Sequence, residues 1–446
     1  MSRKYFGTDG IRGEFGESPY TRNFFRILGA SISKTFLLDL EKNNSVIIGS
    51  DTRESSEEII SLLAEGLKLA DCKIDIAGIV PTPAIAHFTK EKNYTVGIMV
   101  SASHNLYHDN GIKIFNSSGH KISIEDENLI EDYIETLKEK EFKNESTGIN
   151  DLSGQLKDEY IKFCLDQSKV FETKNINITL DLANGSNYQI AEEVFKKFGL
   201  DTFVYNNKPN GKNINKNCGS TSINELPDLV KNNNSDYGLS MDGDGDRIVI
   251  VDNKGRVLDG DDILYTIIRG KILNNEEVKG VVGTITTNLA FENFLKKEKI
   301  NFLRTNVGDK YVLEAMVKNG FTIGGETSGH ILLLDKLTSG DSIIASLAFL
   351  YYSCILKTNG VNDLLKKFPQ KITNIKINKS LPINIINIAI KETLDKYSEN
   401  NIRLIIRKSG TENCIRIMVE AENDKIVGEK SLEVSNFISK KLKNII

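Results

Sequence analysis

One unit recurs along this chain: a short β-branched run, a polar loop carrying glycine, then often a stretch of helical period. Val46–Gly49 runs into Asp51-Thr52-Arg53 and the amphipathic stretch Ser56–Ala70; Val96–Val100 runs into Ser101–Gly111. Ile176–Leu182 precedes Ala183-Asn184-Gly185 and a helical pattern over Tyr188–Phe198. Tyr237–Met241 opens on an Asp-rich loop, and Phe321–Ile323 on Gly324–His330. Strands alternating with helices specify α/β units with parallel or mixed sheets, whose ligand loops lie at strand ends. The last stretch differs: strand Ile402–Arg407, loop, strand Ile415–Glu420, helix Ser431–Leu442, a smaller α+β domain.

A length of 446 residues points to about three domains on size alone. No long linker or low-complexity tract separates them, and the pattern changes near residues 150, 255 and 365. The expected domains are therefore 1–150, 151–255, 256–365 and 366–446. The net charge of −4, with no polybasic block, argues against nucleic acid or a membrane surface as the partner. The longest apolar stretch, Ile343–Leu356, is too short for a bilayer and reads as a core helix. The N-terminus shows no apolar signal region, and five scattered cysteines form no C-x-x-C pair. The expectation is a reduced cytoplasmic protein without disulfides or zinc.

Five loops carry chemistry. In Asp242-Gly243-Asp244-Gly245-Asp246-Arg247, carboxylates at i, i+2 and i+4 converge if the loop bends, as the glycines permit. Carboxylates so close repel unless a hard cation, Mg²⁺ or Ca²⁺, neutralises them. An EF-hand fails, because Arg247 stands where its glycine belongs and Asn253 where its bidentate Glu belongs. A dinucleotide fingerprint fails at Ile248. Ser101-Ala102-Ser103-His104-Asn105, with Lys113 downstream, offers a nucleophile or phosphate carrier; read locally it is equally a polar turn. Gly324–His330 offers Glu326, Ser328 and His330 for sugar hydroxyls and proton transfer; read locally it is equally a Gly-rich turn with a structural His. Arg407-Lys408-Ser409-Gly410-Thr411 reads as a phosphate cradle or a hairpin turn, and Gly7–Gly13, with Arg12, as a phosphate contact or a tight turn that decides nothing alone.

Together and in this order, the five loops resemble the α-D-phosphohexomutase superfamily, most closely its bacterial glucosamine branch. The likeness runs from Gly7–Gly13 to Arg407–Thr411, nearly the whole chain. It implies a four-domain α/β architecture: three similar α/β domains with mixed sheets and a smaller C-terminal α+β domain, heart-shaped around a central cleft. It implies that Ser103 is a phosphoserine and that Asp242, Asp244 and Asp246, with an oxygen of the Ser103 phosphate, bind one Mg²⁺. Arg247 and Arg12 would lie near the reacting phosphate. Lys113 and His330 would be the proton-transfer candidates, with no choice between them. Glu326 and Ser328 would bind sugar hydroxyls, and Arg407, Ser409 and Thr411 the distal phosphate.

The implied reaction interconverts glucosamine 6-phosphate and glucosamine 1-phosphate through glucosamine 1,6-bisphosphate, feeding UDP-N-acetylglucosamine and peptidoglycan precursors. The partners are small sugar phosphates, and the likeness suggests a homodimer. The glucose and mannose phosphate mutases are the alternative branch, and a silent sugar-phosphate sensor the alternative class. Leu106, Lys408 and Asn413 stand where the superfamily usually has Pro, and Thr327 where this branch has Gln. These departures bear on loop stiffness and substrate preference, not on the reacting groups.

Overall fold

The computed structural model describes residues 4–7, 9–38, 44–137, 148–168, 176–360, 364–377, 381–397, 402–408 and 414–443. The chain divides into two compact units, Met1–Thr284 with Leu303–Asp363, and Ile285–Phe302 with Leu364–Ile446.

In the first unit, a six-stranded sheet runs in the order Ile11–Glu14, Asp109–Asn116, Val96–Val100, Ser45–Ser50, Lys73–Ile79, Ile149–Asp151. Its centre is parallel and its Ile11–Glu14 side antiparallel, so the sheet is mixed. Ser45–Ser50 and Val96–Val100 are buried throughout, which is why both read as continuous apolar runs. The expectation of a loop from Ser101 to Gly111 is corrected here. The strand begins at Asp109 and carries Lys113, because Gly111 and Ile112 pair with Arg12 and Ile11.

A five-stranded sheet follows, ordered Val257–Leu258, Ile248–Asp252, Tyr237–Met241, Asn177–Asp181, Asp201–Tyr205. Tyr237–Met241 and Ile248–Asp252 form an antiparallel hairpin with Met241 opposite Ile248. The Asp-rich loop is thus its six-residue turn. A third sheet pairs Gly280–Thr284 in parallel with Ile323–Gly325, and the latter antiparallel with Ile331–Leu333. The helix Ser342–Thr358 is buried on most of its surface, as its apolar run predicts. Asp341 caps it, accepting from the amides of Ile343 (2.8 Å) and Ile344 (3.1 Å). The Ser342 amide donates to the Gly245 carbonyl (3.0 Å), so this helix is anchored to the Asp-rich loop.

The second unit carries a three-stranded antiparallel sheet, ordered Gln370–Lys376, Cys414–Ala421, Ile402–Lys408. Helices Ile383–Tyr397 and Asp424–Lys443 complete it, with a core that includes Ile386, Ile415, Ile417, Val419 and Val434. Within the expected 366–446 it carries two elements that the sequence pattern did not show, the strand Gln370–Lys376 and the helix Ile383–Tyr397, and residues 285–302 belong to the same compact unit. Among the described residues, no helix is long and apolar enough to cross a membrane.

One contact makes stability depend on acid. His87, on helix Thr82–Glu91, stacks on Phe163 of helix Ser153–Gln167 with ring centroids 3.8 Å apart. Burial pushes its imidazole from 6.5 down to about 4, with Glu91, Lys92, Glu159 and Lys90 as the charged neighbours. The folded state therefore disfavours the proton that the unfolded chain accepts near 6.5. This stability is intact above pH 6.5 and is lost as the pH falls toward about 4. The effect is up to about 3 kcal/mol before solvent screening. We expect His87→Gln to lose about 1–3 kcal/mol less than the parent between pH 7 and pH 4.5, read by urea unfolding. Parallel acid curves would show that His87 does not titrate across this window.

Candidate functional site

Ser103 sits between Val96–Val100 and the strand starting at Asp109, in a left-handed conformation with φ 52°. Non-glycine residues adopt this region rarely, and it is found at sites the surroundings hold in place. The Ser103 amide donates to the Ser101 hydroxyl (2.9 Å). The Ser103 hydroxyl donates to Asp242 Oδ2 (2.7 Å) and lies 3.3 Å from His104 Nδ1. Burial, then Arg247 and Arg12, push the His104 imidazole down to about 4.

The hairpin turn delivers the three carboxylates. Asp242, Asp244 and Asp246 are all buried, and one oxygen from each lies within 4.8 Å of the others. Gly243 is required sterically: a Cβ there would lie 2.7 Å from the Ser103 carbonyl oxygen. The Asp244 carboxylate accepts from Lys113 Nζ (2.7 Å) and from the Thr82 hydroxyl. Lys113 also reaches Asp246 (2.7 Å) and Asp9 (3.4 Å). Burial pushes the Lys113 ammonium down, but Asp244, Asp246 and Asp9 outweigh it and hold it well above the usual lysine range. Burial raises the Asp246 carboxyl, yet Lys113, His330 and Arg247 hold it well below the carboxylate range. Asp242 has fewer cationic neighbours, so burial, Asp244 and Asp246 push its carboxyl well above that range.

Oxygen donors of one sign, crowded and buried, fit a hard divalent cation. A second observation supports the fit: Asp244 Oδ1 and Asp246 Oδ1 are buried with no hydrogen-bond partner. Buried carboxylate oxygens are ordinarily satisfied.

The loop of the third sheet closes on the same turn. The Ile248 amide donates to the Gly329 carbonyl (3.0 Å), and a Cβ on Gly329 would lie 2.1 Å from the Ile248 carbonyl oxygen. His330 is buried, with Nδ1 3.6 Å from Asp246 and Nε2 3.5 Å from Asp309. Burial pushes its imidazole down, but Asp246 and Asp309 outweigh that and raise it. Glu326 is buried, accepts from the Gly308 amide (2.8 Å), and has its carboxyl raised by burial. Ser328 is exposed. Arg12 pairs with Asp9 (2.5 Å), and the Arg247 amide donates to Asp242 Oδ1 (3.1 Å). Arg12 Nε and Arg247 Nε are buried without hydrogen-bond partners.

The first unit thus brings Ser103, Lys113, Asp242, Asp244, Asp246, Arg247 and His330 into one charged cluster. Arg407 lies in the second unit, on the strand Ile402–Lys408; Ser409 and Thr411 lie outside the described residues. Sequence reading missed Asp9, Thr82, Lys121 and Asp309, which complete the network. Asp9 stood inside a motif already singled out for Arg12. The other three offered no local signal, because only tertiary folding brings them to the carboxylates.

Four family profiles match the chain: phosphoglucomutase/phosphomannomutase α/β/α domain I over 3–141, domain II over 158–255, domain III over 259–372, and the C-terminal domain over 361–434. The chain is 39% identical to the phosphoglucosamine mutase of Aliivibrio salmonicida, over 97% of this chain and 98% of that one. It is 41% identical to that of Actinobacillus succinogenes, over 97% of each. Among solved structures, it resembles a phosphoglucomutase/phosphomannomutase family protein from Burkholderia thailandensis with a TM-score of 0.80 at 18% identity, covering 100% of this chain and 98% of that one. It also resembles the Aspergillus fumigatus N-acetylphosphoglucosamine mutase in complex with GlcNAc-6P and magnesium, with a TM-score of 0.64 at 18% identity, covering 98% and 96%. At that identity the structural likeness shows the four-domain fold.

Proposed function

The chain belongs to the phosphoglucosamine mutases of the phosphohexomutase superfamily, and from that premise we propose that it interconverts D-glucosamine 6-phosphate and α-D-glucosamine 1-phosphate through phospho-Ser103. One observation carries the proposal: the buried Ser103 hydroxyl donates to Asp242 beside two further buried carboxylates and the Lys113 ammonium. That is where a phosphoryl carrier needs its charge balanced.

Phospho-Ser103 transfers its phosphoryl group to the free hydroxyl of a bound sugar monophosphate. The bond from phosphorus to Ser103 Oγ breaks, a bond to the sugar oxygen forms, and the hydroxyl proton passes to a base. The product, glucosamine 1,6-bisphosphate, turns and returns its other phosphoryl group to Ser103. Asp242, Asp244 and Asp246 would hold one Mg²⁺, which supplies positive charge for the phosphoryl oxygens when bound. Arg247 and Arg12 add fixed charge, each with a buried Nε that makes no hydrogen bond, although the Arg247 Nε lies 3.8 Å from Asp246. Lys113 and His330 remain the proton-transfer candidates. Each is held toward its charged form by carboxylates, so each accepts a proton only once those partners are engaged elsewhere.

Glu326 and Ser328 are assigned to sugar hydroxyls, and Arg407, Ser409 and Thr411 to the distal phosphate. The domain limits 1–150, 151–255, 256–365 and 366–446 follow the order of the matched profiles. We assign the protein to the cytoplasm, as a homodimer acting on small sugar phosphates rather than nucleic acid or membrane. Its product feeds UDP-N-acetylglucosamine.

The test is kcat/KM for glucosamine 1-phosphate, glucose 1-phosphate and mannose 1-phosphate, with Mg²⁺ and a trace of the matching bisphosphate. The expected preference for glucosamine is about a hundredfold, about 2.7 kcal/mol at the transition state. A preference for glucose or mannose moves the chain to the phosphoglucomutase/phosphomannomutase branch. No turnover on any of the three makes it a sugar-phosphate-binding protein.

A further inference from the structure

Two side chains outside the reacting cluster converge on the backbone of the Ser103 loop. The first is Arg53, whose side chain is wholly buried. Its Nε donates to Asp51 Oδ2 (2.9 Å). One terminal nitrogen donates to the carbonyls of Ser103 (3.2 Å) and Asn105 (2.9 Å). The other donates to those of Leu106 and Asp109 (2.7 Å for the latter). A planar fork of five N–H donors can serve four carbonyls and a carboxylate, which a lysine cannot do. Asp51 also accepts the Ser101 hydroxyl (2.5 Å), which in turn accepts the Ser103 amide (2.9 Å). The chain is thus gripped on both sides of Ser103.

The second is Asn215, in the loop after strand Asp201–Tyr205. Its Nδ2 donates to the carbonyls of Ser103 (2.8 Å) and Asn105 (2.9 Å), the same two oxygens that one Arg53 nitrogen serves. Two carbonyl acceptors fix the orientation of the amide, because only its NH₂ end carries two donors. Asn215 belongs to the sheet system that carries the Asp-rich turn. Its Nδ2 would lie 2.7 Å from a Cβ at Gly243, inside that turn. The loop is tied down again nearby, where the Glu54 amide donates to the Gly211 carbonyl (3.1 Å) and Lys212 pairs with Glu54 (3.2 Å).

We propose that Asn215 and Arg53 are positioning residues that lock the Ser103 loop, in its left-handed conformation, against the Asp-rich turn, and so set the rate of phosphoryl transfer to and from Ser103. The proposal rests on Ser103 as the phosphoryl carrier. Arg53 holds the loop within its own domain, and Asn215 sets its register against the carboxylates. Without the Asn215 donors, the Ser103 carbonyl keeps only the longer Arg53 bond (3.2 Å), and the tie from the domain that carries the Asp-rich turn is gone. Misplacing a reacting group by a fraction of an ångström slows transfer without weakening substrate binding to match.

Asn215 has φ 56°, which glycine adopts freely and aspartate tolerates. Asn215→Gly therefore removes the amide without backbone strain, and Asn215→Asp keeps the shape but turns a carboxylate toward two carbonyl oxygens. The full chain is mixed with glucosamine 1,6-bisphosphate and Mg²⁺, and phosphate on Ser103 is followed by quenched-flow mass spectrometry alongside steady-state kcat and KM. The rate constant is expected to fall about tenfold in Asn215→Gly and about a hundredfold in Asn215→Asp, with KM within about twofold.

A wild-type rate constant in Asn215→Gly overturns the proposal. So does a loss confined to the amplitude, since misfolded molecules lower the amplitude and not the rate constant. If Asn215→Asp fails to fold, Asn215→Gly alone decides. Wild-type protein that gains no phosphate on Ser103 refutes the carrier assignment itself, whatever the variants do.

Discussion

Ser103→Ala is expected to fold, to bind sugar phosphate, and to lose at least about 10⁴-fold in mutase turnover, the scale seen when a covalent nucleophile is removed. The substitution deletes one hydroxyl, whose donation to Asp242 spans 2.7 Å. The grip on the loop survives, because Arg53 and Asn215 bind carbonyls and the Ser103 amide still reaches the Ser101 hydroxyl. The φ of 52° is no easier for alanine than for serine, so Ser103→Gly serves as the unstrained control. Both variants should show no added phosphate by intact mass after exposure to the bisphosphate. Turnover at a few per cent of wild type in either one places the carrier elsewhere, with Ser101 the first group to examine.

Ser101 and Ser103 also mark how far the sequence could be read. The acidic turn was legible locally, because three Asp spaced by glycines after a buried strand leave few alternatives. The choice of Ser103 over Ser101 came from resemblance alone. In the structure the two hydroxyls differ in their partners: Ser101 donates to Asp51 and accepts the Ser103 amide, whereas Ser103 donates to Asp242. Lys113 was singled out, but its strand was not, since Asp109-Asn110-Gly111 reads as a turn until it pairs with Ile11–Glu14. The helix Ile383–Tyr397 went unnoticed because its isoleucine-rich start favours a strand. Burial of Ile386, Ala389 and Thr393 overrides that local preference. Arg53 and Asn215 were invisible for another reason. Their partners are backbone carbonyls 50 and 112 positions away, and carbonyls carry no sequence signal.

Asp242→Asn is expected to move catalysis and metal-free stability in opposite directions. Without a cation, the Asp242 charge is a liability: burial comes first, and Asp244 and Asp246 add repulsion, so its carboxyl is pushed well above the usual range. Asparagine has the same shape. Its oxygen can still accept the Arg247 amide, and its nitrogen can donate to the Ser103 oxygen where the carboxylate accepted. Removing the charge therefore relieves repulsion at little geometric cost. The EDTA-treated variant should melt about 1–3 °C above the EDTA-treated parent. With Mg²⁺ the sign reverses, since one of three anionic ligands is gone. Activity should fall by about a hundredfold or more, and the Mg²⁺ concentration for half-activation should rise. Unchanged activity with an unchanged Mg²⁺ response would remove Asp242 from the metal site. A lower melting point in EDTA would mean that Lys113 and Arg247 already balance the three carboxylates in the empty site, and that the turn is held together by its charges rather than despite them.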